Sequence, residues 1–402
     1  MLGSGGEALM LDTEGRRSRW LRFRDPAAVL VAHRVADVPP LLAEVEREVA
    51  NGSWAAGFLA YEAAPAFDAA FEAHPPGSLP LAWWGLFRRP REVPPPAQGC
   101  PADLVWRPTL SRRRYGEAVA RIRSHIAAGD TYQVNYTFPL EASVGDTDPG
   151  TLFAALHHAQ GGRYSAYLDC GRFAVCSASP ELFFALCGGE IVARPMKGTA
   201  RRGRCPEEDR RRAEELLRSE KDRAENVMIV DMMRNDLGKV ARPGSVRVRR
   251  LFTLETFPTV HQLTSTVCAE TAAPVSEILR ALFPCASITG APKISTMRII
   301  RRLEAGPRGV YTGAVGFLAP ARSGRPRRAQ LNVAIRTAAV DRVAGVARYG
   351  TGGGIVWDSQ AESEYQECRT KALVLTAPRL DRLAARAPRP PTRALASEAK
   401  PR

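Results

Sequence analysis

Apolar residues recur at two different spacings along this chain, and the switch between them predicts its elements. From Tyr115, "YGEAVARIRSHIAAGD" has helical spacing and stops at Gly129. "TYQVNYTFPLEA" then carries the β-branched and aromatic residues of a strand. "RYSAYLDCGRFAVCSASPELFFALCGGEIVARPM" predicts several short strands with Gly turns. Pro206 sits where a helix begins, with Glu207, Glu208 and Asp209 at its positive end. One helical pattern is predicted from there to about Asp236, with Gly238 as its stop. "SEILRALFP", "PKISTMRIIRRLE" and "QAESEYQECRTKALVLT" predict further helices; "GVYTGAVGFLAP", "AQLNVAIRTAAV" and "VARYGTGGGIVW" predict strands. These strands do not follow a strict βαβ alternation, so the expected class is α+β, with no internal repeat. "WAAGFLAYEAAPAFD" and "LAWWGLF" are shorter apolar stretches ahead of a Pro-rich linker or surface loop, "EVPPPAQGCP" (92–101). The expected division is 1–105 as the N-terminal part of the fold, 106–380 as the catalytic domain and 381–402 as a disordered basic tail.

Composition narrows the class. The chain has 402 residues, 45% hydrophobic and 25% charged, enough for a large core in one complex domain or two ordinary ones. No charge-free apolar run approaches a membrane span, and the N-terminus has no secretory h-region. Eight cysteines form no CxxC pair and six histidines are scattered, which leaves no support for a zinc site or a disulfide framework and favours a reduced cytoplasmic compartment. The net charge of +15 could serve nucleic acid or an anionic substrate. Much of the excess lies in short runs: "SRRR" (111–114), "RRGR" (201–204), "RRR" (210–212) and "GRPRR" (324–328). No zinc finger, aromatic RNA-binding signature or basic zipper accompanies them, so a solvated Arg-rich surface is preferred to nucleic-acid binding.

Several groups could carry chemistry. In "RPMKGTARRG", Lys197 could be a solvated charge, a phosphate binder or a nucleophile. Glu225 precedes Met228, Ile229 and Met232, spaced to face a core; it is either an exposed partner of Lys221 or a buried acid that needs compensation. Glu364, Glu367 and Lys371 share one helix face, as an ion-pair ladder or as ligands. Two glutamates from separate helices could hold Mg²⁺, which keeps several waters and often completes its shell with substrate oxygens. "YGTGGGIVWD" is neither a P-loop nor GxGxxG; it is a turn or bulge, or a place where backbone N–H groups approach a carboxylate. "ITGAPK" could open a helix at Ala291 or Pro292 and offer amides to an anion. Arg336 interrupts an alternating apolar strand, facing solvent or forking a carboxylate. His261 is either an ordinary core or surface histidine or a catalyst.

Taken in order, "YQVNYT", "SASPELFF", "RPMKGT", "EKDRAENVMIVDMMRNDLG", "PTVHQLTSTV", "SITGAPKISTMRII", "RGVYTGAVGF", "NVAIRT", "YGTGGGIV" and "DSQAESEYQECRTKA" resemble the chorismate-utilising enzymes over roughly residues 110 to 378. The resemblance implies one complex fold, with antiparallel sheets packed face to face and helices outside. It also implies that 106–380 binds chorismate. Within this group, anthranilate, isochorismate and salicylate synthases typically read Pro-Leu/Ile-Ala-Gly-Thr/Ser at the Lys197 segment. Pro-Met-Lys-Gly-Thr is instead similar to the Pro-Ile-Lys-Gly-Thr of the aminodeoxychorismate synthase branch. That likeness implies Lys197 as covalent nucleophile, Glu181 as general acid and later base, and His261 as a further catalytic group near the ring carboxylate. It implies Mg²⁺ on Glu225 and Glu367, with Glu364 as an additional candidate. Gly198, Thr199, Thr289, Tyr311, Arg336 and Lys371 are implied to bind substrate, as are Gly352, Gly353 and Gly354. Gln133, where the isochorismate and salicylate enzymes have a lysine that activates water, points to ammonia as the incoming nucleophile.

The implied chemistry explains the lysine. The amine attacks C2 of chorismate and expels the C4 hydroxyl; ammonia then attacks C4 and expels the amine, giving 4-amino-4-deoxychorismate. No Cys–His–Glu glutaminase signature is present, so ammonia is expected from solution or from a separate glutamine amidotransferase subunit. The expected role is in p-aminobenzoate and folate synthesis. The nearest alternative is an anthranilate synthase large subunit, and the alternative from another class is a basic nucleic-acid-binding protein.

Overall fold

The alternating and continuous apolar stretches are satisfied by two antiparallel sheets. The computed structural model describes residues 6–13, 17–98, 104–321 and 327–376. The expected tail (381–402), the end of the Pro-rich stretch and most of "GRPRR" lie outside the described residues.

Among the described residues each sheet has ten strands. The first runs in the order Gly290–Ala291, Gln133–Ser143, Val346–Ile355, Thr337–Asp341, Phe173–Ser177, Ala166–Cys170, Glu7–Asp12, Arg19–Phe23, Arg91–Val93, with Arg107–Pro108 also on Gln133–Ser143. The second runs Met196–Arg201, Val260–Glu270, Glu190–Arg194, Leu182–Cys187, Arg328–Val333, Ala314–Ala319, Trp54–Leu59, Ala82–Phe87, Ala28–Ala32, with Arg247–Thr256 also on Val260–Glu270.

The strand period of two sorts the apolar residues into layers. Trp83 and Phe87 pack between the sheets with Met10, Leu21, Phe23 and Phe317, while Trp84 and Leu86 of the same strand face outward. There they meet Leu41 and Val45 of the Val38–Ala50 helix, in a core that also holds Val230 and Met233 of the Glu220–Gly238 helix. The first sheet is covered on its outer face by Leu152, Phe153 and Leu156 of Pro149–Gln160. Tyr115 and Ile122 of Arg112–Ala127 and Tyr365 and Cys368 of Ala361–Lys371 cover its other end. The architecture is therefore α+β, with face-to-face sheets and outer helices.

The structure corrects four local expectations. The long helix after Pro206 is two helices, Pro206–Arg218 and Glu220–Gly238; Ser219 between them is extended, and its side chain accepts the Asp222 N–H, so a capping residue outweighs the continuous pattern. The buried stripe of the second helix is Asn226, Ile229, Val230, Met233 and Leu237, whereas Met228 and Met232 line a surface groove with Tyr132 and Phe252. "ITGAPK" first pairs Gly290 and Ala291 with Val134 and Gln133, and its helix starts at Lys293. "AQLNVAIRTAAV" is two strands in different sheets, and Arg336 sits at the crossover with φ +52. A second crossover, between Phe173–Ser177 and Leu182–Cys187, lies beside it: Ala178 N–H donates to Arg336 O at 3.0 Å and Val333 N–H to Glu181 O at 3.1 Å.

Behind this junction lies a buried ion pair. Arg308 donates to both carboxylate oxygens of Glu304, at 2.7 and 2.8 Å, with side-chain exposures of 2% and 4%. The same guanidinium donates to the Ile288 and Asn135 carbonyls at 3.0 and 2.7 Å, and Glu304 also accepts the Thr137 N–H. Glu62 accepts the Arg308 and Gly309 N–H groups, and burial pushes its carboxyl up to about 7. Arg308→Met should therefore cost about 3–5 kcal/mol, because it leaves Glu304 buried without its partner. Urea denaturation measures this, and a loss within about 0.5 kcal/mol, the scale of ordinary surface changes, would contradict the clamp. Glu62 keeps its proton when folded in a range where the unfolded chain gives it up. Its contribution is thus complete below the ordinary carboxyl pKa and fades as pH rises through about 7. Glu62→Gln should flatten that part of the pH–stability curve.

Candidate active site

Lys197 owes its direction to a bulge. The strand Met196–Arg201 pairs Met196 with Thr264 but Thr199 with Gln262, so its side of the ladder carries one extra residue. Gly198 in that bulge has φ +89, and a Cβ there would lie 3.1 Å from Asp222 Cβ. Bulges re-aim side chains. Here Lys197 is turned into a cavity at the end where the two sheets meet.

The glycine-rich stretch forms the facing wall. It is neither a turn nor a bulge: Gly352, Gly353 and Gly354 are regular strand, opposite Thr137, Tyr136 and Asn135. Close approach explains the composition. A Cβ on Gly354 would lie 2.2 Å from Gln133 Nε2 and 2.8 Å from Lys197 Nζ, and one on Gly350 only 2.1 Å from the Tyr311 ring. Beside Gly353 stand Glu364 Oε2, Lys371 Nζ and Glu367 Oε1, each within 4 Å of the position a Cβ would take.

Charge inside the cavity is mixed. Lys371 pairs with Glu367 at 2.6 Å and donates to Gly352 O at 2.9 Å. Burial pulls Lys371 down, but Glu367 and Cys368 together outweigh it and the net shift is upward. The Lys371 charge holds Glu367 below the usual carboxyl range. Burial raises Glu225 and Glu364; Gln133 Nε2 reaches Glu225 at 3.5 Å and Ser359 donates to Glu364 at 2.7 Å. Glu181, 2% exposed, is pushed up to about 7 by burial. Lys197 is held below the ordinary lysine range, first by burial and also by the Lys371 charge, against the pull of Glu225, Glu181 and Glu367. The cavity thus holds a carboxyl protonated near neutrality and an amine biased toward its neutral, nucleophilic form.

Most sequence-selected residues meet here. Lys197, Gly198 and Thr199 come from the bulged strand, Glu181 and Arg336 from connections between strands, and Tyr311 from the connection between the Lys293–Leu303 helix and the Ala314–Ala319 strand. Glu225 comes from Glu220–Gly238; Glu364, Glu367 and Lys371 from Ala361–Lys371; Gly352 and Gly354 from the facing strand. Gln133 and Gly353 lie against these side chains without being part of the lining. Arg336 donates to the Lys371 carbonyl, which also accepts the Tyr349 hydroxyl.

Besides Gln133 and Gly353, two selected residues, His261 and Thr289, do not line the cavity. His261 Nε2 meets Asp209 at 2.9 Å and Nδ1 meets Thr256 at 3.0 Å, while its neighbour Gln262 points into the cavity; one step along a strand reverses the face. Thr289 donates to the Cys285 carbonyl at 2.8 Å behind the wall, and Ser287, two residues earlier, lines the cavity instead. Asn135, Lys221, Asp222 and Tyr349 also line it and were missed. Their neighbours in the motifs were the available signal; Asn135 and Tyr349 lie on strands beside the selected residues, and Lys221 and Asp222 on the helix that carries Glu225.

Among the described residues, no group of three or more His, Cys, Asp or Glu side chains stands close enough to hold a metal ion by itself. Glu225, Glu364 and Glu367 nevertheless line the same cavity from two helices. Oxygen-only donors and two carboxyls left above their usual range by burial suit a hard dication that draws its remaining ligands from water or substrate. These residues fit Mg²⁺.

The family of chorismate binding enzymes matches residues 91–377. The chain is 42% identical over 265 residues to aminodeoxychorismate synthase component 1 of Salmonella typhimurium, covering 65% of this chain and 57% of that protein. It thus spans little more than half the length of that relative. It is 39% identical to anthranilate synthase component 1 of Thermus thermophilus, over 72% of this chain and 63% of that one. The crystal structure of anthranilate synthase component I from Streptococcus pneumoniae shares the fold, with a TM-score of 0.76 at 23% identity and 92% coverage of both chains.

The lowered lysine has a direct chemical readout. Cyanate carbamylates neutral amines, so at pH 7 Lys197 should be modified ahead of the solvent-exposed lysines in peptide maps of the folded chain. Modification no faster than that of exposed lysines would contradict a neutral, reachable amine.

Proposed function

This chain belongs to the chorismate binding enzyme family, and we propose that within it the chain is an aminodeoxychorismate synthase large subunit. It would convert chorismate and ammonia to 4-amino-4-deoxychorismate, the step that feeds p-aminobenzoate and folate synthesis. The observation that carries this reading is Lys197: an amine held below the ordinary lysine range, in one cavity with a carboxyl raised to about 7.

In the proposed reaction Lys197 attacks C2 of the ring as a free amine while Glu181 gives its proton to the departing C4 oxygen, which leaves as water. Ammonia then forms the C4–N bond, the C2–N bond to Lys197 breaks, and Glu181 takes up the proton that the attacking ammonia loses. Arg336 and Lys371 are cations suited to the substrate carboxylates. Glu225 and Glu367, with Glu364 beside them, would hold Mg²⁺, which when bound supplies positive charge for a ring carboxylate. Gln133 offers an uncharged amide beside Lys197 and has no basic group with which to activate water. Ammonia is proposed to come from a glutamine amidotransferase partner, as the name "component 1" of the Salmonella relative suggests.

The Thermus likeness favours a second reading, anthranilate synthesis, and one assay separates the two. The chain incubated with chorismate, Mg²⁺ and ammonium salt should yield 4-amino-4-deoxychorismate, and Lys197→Ala should lower turnover by roughly 10³-fold or more. EDTA should abolish activity and Mg²⁺ restore it. Anthranilate as the product, or full activity in the alanine variant, would overturn the proposal. Turnover that depends on protonated Glu181 should fall as pH rises through about 7, while protonation of Lys197 limits the acid side.

A further inference from the structure

Glu181 receives one side-chain hydrogen bond from a residue that sequence reading passed over. Ser287 Oγ lies 2.7 Å from Glu181 Oε1, and both side chains are buried, with residue exposures of 5% and 2%. Ser287 belongs to the short turn Ala286–Ile288, fixed by the Arg308 bond to the Ile288 carbonyl. On its other side, Cys285 Sγ lies 3.3 Å from Ser287 Oγ. A hydroxyl has one proton to give. With that proton directed at Glu181, the thiol is the donor to Ser287, in keeping with a Cys285 pKa pushed up to about 12 by burial. The result is a one-way relay from Cys285 to Ser287 to Glu181, ending on the oxygen of the proposed acid.

We infer that Ser287 is a positioning residue for Glu181: its hydroxyl aims the carboxyl into the cavity and stabilises its ionised form enough for it to lose and regain a proton during the reaction. Without this bond, burial would hold the proton too firmly for the carboxyl to act in both halves of an acid–base cycle. The other titratable groups acting on Glu181 are Lys197 on the bulged strand, Lys371 on the Ala361–Lys371 helix and Cys285 before the turn. The two lysines stabilise the carboxylate, as Ser287 does, but from other elements, so replacing Ser287 leaves them in place. The functional value of the bond rests on Glu181 acting as the acid in the proposed reaction. The bond itself does not.

The test is therefore read without turnover. Infrared difference titration of the full chain should show a protonated carboxyl band, assigned to Glu181 by its loss in Glu181→Gln. Its midpoint should rise by about 1–2 pH units in Ser287→Ala, the scale of one lost hydrogen bond to a charged group. Ser287→Thr keeps the hydroxyl and should titrate as the native chain does. Should the alanine variant fail to fold, Ser287→Cys, a weaker donor, should give an intermediate rise. An unmoved midpoint in the folded alanine or cysteine variant would overturn the assignment. In a parallel assay, Ser287→Ala should lower kcat more than it changes KM and carry the alkaline limb upward with the carboxyl. If the native chain makes no 4-amino-4-deoxychorismate, the functional reading fails while the titration still decides the role of Ser287.

Discussion

A primary amine can act as a nucleophile near neutral pH only when its proton is made costly to hold, and burial is what makes it so for Lys197. Burial alone would serve, but the cavity also needs carboxylates, and each carboxylate favours the ammonium form. The structure divides these opposing demands. Glu367 is occupied by Lys371, whose own positive charge works against protonation of Lys197. Glu181 stays protonated to about 7 and so exerts less of its negative charge on the amine. A dication on Glu225 and its neighbours would remove more of the remaining attraction.

The backbone that holds this balance comes from two sheets, because no single element presents these side chains together. A bulge turns Lys197 inward, and paired crossovers between the sheets bring Glu181 and Arg336 to the same cavity. The glycine strand gives up its side chains so that the ends of Gln133, Lys197 and Tyr311 can occupy that space. Arg308 and Glu304 tie the Asn135 strand and the Ser287 turn together from behind.

Much of this was legible in the sequence where residue type and chemistry coincide. The charged residues of the motifs reach the cavity as expected: Lys197, Glu181, Glu225, Arg336, Glu364, Glu367 and Lys371. What escaped was geometry. His261 and Gln262 are adjacent letters on opposite faces of a strand, and Ser287 lies within a short turn that Thr289 ends, only Ser287 reaching the cavity. The helix break at Ser219 and the crossover at Arg336 depend on one capping hydroxyl and one left-handed residue, neither of which disturbs the apolar pattern around it. The glycine-rich stretch is read correctly as strand, but the reason for its glycines escapes, since that constraint comes from side chains distant in sequence.

The claim that Lys197 bonds to substrate is tested most directly by mass spectrometry of the chain incubated with chorismate and Mg²⁺ in the absence of ammonia. With the second displacement denied its nucleophile, the peptide that contains Lys197 should gain the mass of chorismate less one water, and added ammonium should discharge it. A Lys197 peptide that stays unmodified while the same preparation turns over chorismate with ammonium would contradict covalent catalysis.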